Sequence, residues 1–140
     1  MPLLVTPVPP SPAAIVADIN VVRRQHGLAR LLPTKSLRKM ATIHDRDMLN
    51  TGVFSHNGEG TTFTGRVHRH VRFRGVGEAI AWSTAQVSAW TVVKMWMNSP
   101  PHRAELLNPT YRRIGVGAAS GQLGRYGKGV VVTADLATRR

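Results

Sequence analysis

The chain has 140 residues, 42% of them apolar and 19% charged, which suits one compact domain with its own core and excludes wholesale disorder. It carries 19 basic and 7 acidic residues, a formal net charge of +12, so a long-range partner is expected to be anionic. The absence of cysteine excludes disulfides, thiolate catalysis and cysteine-bound zinc, and no apolar run approaches the ~20 residues of a transmembrane helix.

The chain begins with a proline-rich segment that predicts an extended leader over residues 1–11, followed by one folded domain over residues 12–138. This leader lacks the basic start of a signal peptide. The first helix is predicted over residues 12–26, with Ser11 as its N-cap and Gly27 as its stop.

A second helix is predicted over residues 37–51, capped by Ser36. His44 falls on the apolar stripe of this helix and is expected to point inward. Residues 53–77 are rich in glycine and predict a long loop, interrupted by one helical turn over residues 62–70.

The C-terminal half changes from helices to strands. Ser83 and Gln86 form a Ser-x-x-Gln pattern that predicts the start of a third helix, and Ser99 is the predicted cap of a short fourth helix. Two antiparallel strands are expected around residues 114–116 and 130–134. An order along the chain with helices first and strands last favours a layered α+β domain over a parallel sheet.

Three titratable residues stand out as candidates for chemistry. His56, Glu78 and His102 together offer two imidazoles and one carboxylate, a ligand set that zinc accepts while leaving a position for water. His102 lies in the first turn of a predicted helix, where the helix dipole keeps its ring neutral. Each also has a simpler interpretation, as an exposed loop residue, an ion-pair partner or a residue that satisfies a helix start, and these alternatives stay open.

The densest positive patch lies within residues 66–74, which we call the basic run. It could follow a phosphate backbone, or it could be the solvated face of a basic protein, and no nucleic-acid-binding motif supports the first interpretation. The candidate residues for binding an anionic surface are Arg66, Arg69, Arg72 and Arg74.

Seven short motifs follow one another over residues 13–137. They are INxxRxxxGL at 19–28, HxxDM at 44–48, FSH at 54–56, GE at 77–78, WMNSPPHR at 96–103, LLNPxYRxIGVG at 106–117 and VVVTADLA at 130–137. In this order they resemble the bacterial branch of the CAP superfamily, which comprises cysteine-rich secretory proteins, antigen 5 and plant pathogenesis-related 1 proteins.

The resemblance implies a three-layer α-β-α sandwich with a small antiparallel sheet and an open central cavity. In that family two histidines and two glutamates line the cavity, and in some members the histidines hold Zn²⁺ or another divalent cation. By motif position His56 and His102 match the histidines and Glu78 the first glutamate. The second glutamate would fall near Ser99, which is not acidic, and His44 and Ser99 are expected to support the ligands from behind.

The resemblance leaves three functions open. The first is a secreted or envelope-associated monomer that binds a lipid, a sterol, or an envelope or host component in the cavity, more a binding protein than an enzyme. The second is a metal-dependent hydrolase in which Glu78 acts as general base. The third is electrostatic binding of an anionic polymer through the basic run, with nucleic acid not favoured.

Overall fold

The computed structural model describes residues 6–140, so the first five residues of the predicted leader lie outside the described residues. The helices of the described part are Pro12–Gln25 (α1), Lys35–Thr51 (α2), Phe63–His70 (α3), Ala89–Met97 (α4) and Pro100–Leu106 (α5). The strands are Leu32–Pro33 (β1), Val76–Ser83 (β2), Tyr111–Gln122 (β3) and Lys128–Thr138 (β4). None of the described helices has both the length and the apolar character needed to cross a membrane.

The four strands form one sheet in the order β1-β3-β4-β2. Strand β4 lies between β3 and β2 and is antiparallel to both, whereas the two-residue β1 pairs with β3 in parallel. The register between β2 and β4 places Glu78 directly opposite Asp135. Because opposite residues point to the same face of a sheet, these two carboxyl side chains are neighbours.

The sheet is covered by helices on both faces, which confirms the predicted α-β-α sandwich. Alternate residues of β4, from Val130 to Leu136, pack in the main core with α1 and α4. The residues between them face α2, where Val131 packs with Met48 and Thr133 bonds to Asp45. The period of two along a strand therefore decides which side chains enter each layer.

The first two helices lie close to their predicted positions. Helix α1 begins after Ser11, whose side chain accepts a hydrogen bond from the Ala14 amide at 3.3 Å, as predicted. The N-cap of α2 is Thr34 and not Ser36, because the Thr34 hydroxyl accepts the Leu37 amide at 3.3 Å. Helix α2 ends at Thr51, its predicted last residue, and is followed by Gly52, whose left-handed φ of 73° suits glycine.

The predicted start of the third helix at Ser83 is wrong. Residues 76–83 form β2, and helix α4 begins only after Ser88, whose hydroxyl accepts the Thr91 amide. Gln86 does not close a capping box, because its side chain forms two hydrogen bonds with the backbone of Val8. It ties the N-terminal segment to the loop before α4.

Candidate functional site

The centre of the candidate site is a histidine–glutamate pair between the loop that follows α2 and strand β2. The Nδ1 of His56 lies 2.9 Å from Oε1 of Glu78. The His56 side chain is 47% exposed and that of Glu78 only 1% exposed. With Glu78 ionised, Nδ1 carries the hydrogen of the bond and the second ring nitrogen, Nε2, is left as an acceptor. The buried carboxylate thus orients an exposed imidazole.

A buried arginine of α3 holds Glu78 in place. Nη1 of Arg66 lies 3.1 Å from each oxygen of Glu78 and also donates to the His56 carbonyl at 2.7 Å. The Arg66 guanidinium packs against the Phe63 ring at 5.7 Å from its centroid. Arg66 therefore fixes both members of the pair, the Glu78 side chain and the His56 backbone.

Glu78 belongs to a group of three buried carboxyls, with Asp45 of α2 and Asp135 of β4, which we call the carboxyl cluster. Burial and the charge of Glu78 raise the pKa of Asp135 well above its usual range. Burial likewise raises the pKa of Asp45, although its bond with Thr133 opposes the change. Burial alone would raise the pKa of Glu78, but the hydrogen bond from His56, the neighbouring Asp135 carboxyl and the charge of Arg66 outweigh it and lower that pKa.

These directions make Glu78 the member of the carboxyl cluster that ionises most readily. Both carboxyl oxygens of Asp135 are buried without a hydrogen-bond partner in the described part of the chain, and a buried carboxyl without donors is less costly in its protonated form. Asp135 is therefore the carboxyl that holds a proton, and it lies opposite Glu78, whose negative charge Arg66 balances. This arrangement avoids three buried anions facing a single cation.

His44 lies behind the pair, as its place on the apolar stripe predicted. It is fully buried, and its Nε2 lies 2.6 Å from the Ser55 carbonyl and 3.7 Å from Oε1 of Glu78. Burial lowers the pKa of His44, so the ring is neutral at pH 7. Its contact with Ser55 fixes the loop that carries His56.

His102 occupies the other side of the site, in the first turn of α5. Its Nδ1 lies 2.9 Å from the Ser99 hydroxyl. Burial lowers the pKa of His102, and the neighbouring His56 lowers it further. Ser99 is thus in direct contact with His102, and both imidazoles have Nδ1 engaged.

An apolar cavity of about 450 Å³ opens beside His102. Phe54, Met95 and Tyr126 are partly exposed within its lining, at 39%, 43% and 59%. Ser99 and His102 bring polar groups to one side of it, which is typical of sites that accept an apolar ligand and orient it through a few polar contacts. Its lining consists of Phe54, Ile80, Ala81, Trp82, Met95, Trp96, Ser99, His102, Leu123 and Tyr126.

The positions of the donors do not support the three-ligand metal set of His56, His102 and Glu78. Both oxygens of Glu78 are already bonded to Arg66, and one also bonds to His56. Across residues 6–140, no three histidine, aspartate or glutamate side chains are arranged so that they could hold a metal ion. Glu78 instead occupies the place of a carboxylate that orients a histidine from behind.

The prediction that the basic run binds an anionic surface is wrong for Arg66, which is fully buried and unavailable to such a surface. Arg69 is half exposed and donates to the Glu59 carbonyl. Arg72 and Arg74 are exposed. The run is therefore divided between one buried structural cation and three surface cations.

Sequence reasoning missed Asp45 and Asp135 and gave Arg66 the wrong role, although each had a signal. Arg66 lies on the sheltered face of α3 with Phe63, Val67 and His70, a helical spacing that marks it as inward-facing. Asp45 stands eight residues after Leu37, on the apolar stripe of α2. Asp135 interrupts an apolar strand. Polar residues within apolar patterns are the informative exceptions to burial.

Comparison with known sequences finds two proteins of Bacillus subtilis strain 168. The chain is 37% identical over 100 residues to the uncharacterised membrane protein YlbC, covering 70% of this chain and 28% of that protein. It is 34% identical over 105 residues to the uncharacterised protein YkwD, covering 74% of this chain and 40% of that protein. The chain thus spans less than half the length of either relative.

Solved structures share the fold. An extracellular protein of Bacillus anthracis that contains an SCP domain aligns with a TM-score of 0.78 at 26% identity, covering 91% of this chain and 40% of that one. An outer surface protein of Borrelia burgdorferi aligns with a TM-score of 0.75 at 22% identity, covering 91% of this chain and 92% of that one. The model of the cysteine-rich secretory protein family, CAP, matches residues 16–136. The chain therefore belongs to the CAP family.

Proposed function

We propose that this CAP domain binds an amphipathic lipid or sterol in the apolar cavity, outside the cell or in its envelope. The observation that carries the proposal is a cavity of about 450 Å³ with an apolar lining and two polar side chains, Ser99 and His102, on one side. A hydroxyl or carboxyl group of the ligand would bond to His102 while its hydrocarbon part lies against Phe54 and Met95. The extracellular and outer-surface descriptions of the two similar structures support this location.

Binding is favoured over hydrolysis because of where Glu78 lies. A general base must reach the water that it activates. The Glu78 side chain is 1% exposed, and its oxygens are bonded to Arg66 and His56. The polar groups that face the open site are therefore imidazoles and the Ser99 hydroxyl, which suit the recognition of a ligand head group.

The test is a titration of the full chain with a fluorescent sterol and a fluorescent fatty acid. Met95→Trp, which fills the cavity, and His102→Ala, which removes its polar group, should each weaken binding by about tenfold or more. Trp90→Ala is the matched control, because Trp90 is 42% exposed but lies outside the cavity lining. No saturable binding of either probe, or an equal effect of all three substitutions, would refute the proposal.

The atoms that remain available to bind the expected divalent cation are Nε2 of His56 and Nε2 of His102. Two imidazoles without a carboxylate make a weaker zinc site than the three-ligand sites of zinc enzymes. We therefore expect weak zinc binding in calorimetry, abolished in both His56→Ala and His102→Ala. Equal binding by either variant and the wild type would remove the cation from this site.

A further inference from the structure

The exposed face of α2 carries a row of cationic side chains, Lys35, Arg38, Lys39 and Arg46, which we call the α2 stripe. All four are exposed. Their offsets of 0, 3, 4 and 11 place them on one side of the helix, over about 16 Å at ~1.5 Å per residue. They border a surface groove of about 490 Å³ together with Thr42 and Ile43.

No described carboxylate neutralises the α2 stripe. None of its four cationic groups forms an ion pair in the part of the chain that the structure describes. All seven acidic residues of the protein are buried or half-buried, and the carboxyl cluster holds three of them inside. The field over α2 is therefore that of its own cations, with little acidic surface to oppose it.

The stripe is also held rigidly. The opposite side of α2 is packed against β3 and β4 through buried residues such as Leu37, Met40 and Met48. A Cβ at Gly115 of β3 would lie 2.0 Å from the Arg38 backbone nitrogen, so strand and helix are in direct backbone contact. A rigid helix presents its charges without first having to order a loop, which reduces the entropic cost of binding.

We propose that the α2 stripe is a docking surface for a linear phosphodiester polymer of the cell envelope. A row of unpaired cations is complementary to a chain of regularly spaced phosphates. A bilayer fits less well, because the apolar group that the groove offers for insertion is the half-buried Ile43. Single-stranded nucleic acid also fits less well, because no aromatic side chain among the described residues borders the groove for base stacking.

The test compares two variants of equal charge by binding to fluorescently labelled poly(glycerol phosphate) at about 50 mM NaCl. The stripe variant carries Lys35→Ser, Arg38→Ser, Lys39→Ser and Arg46→Ser. The control variant carries Arg72→Ser, Arg74→Ser, Arg125→Ser and Lys128→Ser, four other exposed residues without ion pairs in the described part of the chain. Both lose four positive charges, so net charge alone predicts equal effects.

The stripe variant should bind at least about 30-fold more weakly than wild type, and the control variant within about threefold. Removing four phosphate contacts should also flatten the plot of log affinity against log salt by about 2–3 units. Equal losses in the two variants, or a larger loss in the control, would overturn the assignment to α2. If the stripe variant is not folded by circular dichroism, Arg38→Ser with Arg46→Ser replaces it, against Arg72→Ser with Arg74→Ser.

The same titrations decide the partner. Vesicles of phosphatidylglycerol and single-stranded DNA are measured beside the glycerol phosphate polymer at equal phosphate concentration. Tighter binding to the polymer than to both alternatives supports the proposal. Equal or tighter binding to vesicles or DNA would overturn the choice of partner. The outcome is independent of the apolar cavity, because no residue of the stripe lines it.

Discussion

At the scale of single residues, Arg66 is the side chain that holds the candidate site together. It is fully buried, contacts both oxygens of Glu78 and holds the His56 carbonyl. A buried carboxylate that loses its cationic partner must stay charged without compensation or take up a proton, and both cost free energy. The histidine–glutamate pair therefore depends on an arginine that takes no part in the exposed site.

Arg66→Met should lower the free energy of unfolding at pH 7 by about 3–5 kcal/mol, because it leaves Glu78 buried without its cationic partner. Urea denaturation measures the change. Arg69→Met is the control, because Arg69 is half exposed on the same helix. This substitution should lower the free energy of unfolding by no more than about 1 kcal/mol. Equal effects of the two substitutions would mean that Arg66 does not stabilise the buried carboxylate.

Asp135 makes the stability of the fold depend on pH. Its pKa in the folded chain is raised by burial and by the charge of Glu78, whereas in the unfolded chain it returns to about 3.9. At a pH between these two pKa values, the folded chain binds one proton more than the unfolded chain does. The contribution of Asp135 is thus fully present below about pH 4 and is lost as the pH rises through the folded-state pKa.

Asp135→Asn keeps the shape of the side chain but removes this titration. Relative to wild type, the variant should therefore become progressively more stable as the pH rises above about 4. Urea denaturation of both proteins at several pH values between 4 and 8 checks the trend. Parallel stability curves would show that Asp135 does not hold a proton in the folded protein.

What the sequence predicted of the site follows from local pattern, and what it missed depends on distant contacts. The apolar stripe of α2 was enough to turn His44 inward, since Leu37, Met40 and Met48 define that face. Nothing near Arg66 in sequence announces Glu78, twelve positions further along the chain. A pattern can thus mark a residue as inward-facing but cannot name its partner.

At the scale of elements, the strand that carries Glu78 was the largest omission from the predicted fold. Five consecutive residues of β2, 77–81, are buried because helices cover both faces of the sheet. A strand buried on both sides lacks the alternation of polar and apolar residues that marks a half-exposed strand. The two-residue β1 was missed because it is too short to carry any pattern.

The contact between α2 and β3 gives a prediction for an element. A Cβ at Gly115 would lie 2.0 Å from the Arg38 nitrogen and 2.1 Å from the Leu37 carbonyl carbon, both backbone atoms. Gly115→Ala must therefore push the helix off the sheet and should cost about 3 kcal/mol or more in thermal or urea unfolding.

Gly121→Ala on the same strand is its control, because the new methyl group would meet only the flexible Leu49 side chain at 3.3 Å. This substitution should change the free energy of unfolding by less than about 1 kcal/mol. If Gly115→Ala were as well tolerated, the close approach of α2 to β3 would not be needed for folding.

At the scale of the whole molecule, the formal charge of +12 is distributed unequally between surface and interior. The carboxyl cluster withdraws three acidic residues from the surface, and the other four are half-buried. Of the arginines, all of which lie in the described part of the chain, only Arg23 and Arg66 are buried. The surface is therefore more one-sided in charge than the composition indicates, and the folded chain brings many like charges close together.

This self-repulsion predicts that salt stabilises the fold. Raising NaCl from about 20 to 300 mM shortens the screening length to below ~10 Å and weakens repulsion between surface cations, so Tm at pH 7 should rise by a few degrees. The rise should be smaller in the variant with serine at Lys35, Arg38, Lys39 and Arg46, because fewer like charges remain. Differential scanning calorimetry of both proteins over this salt range measures the two slopes. A wild-type Tm that stays constant or falls with salt would show that attractive ion pairs, and not repulsion, dominate the surface electrostatics of this fold.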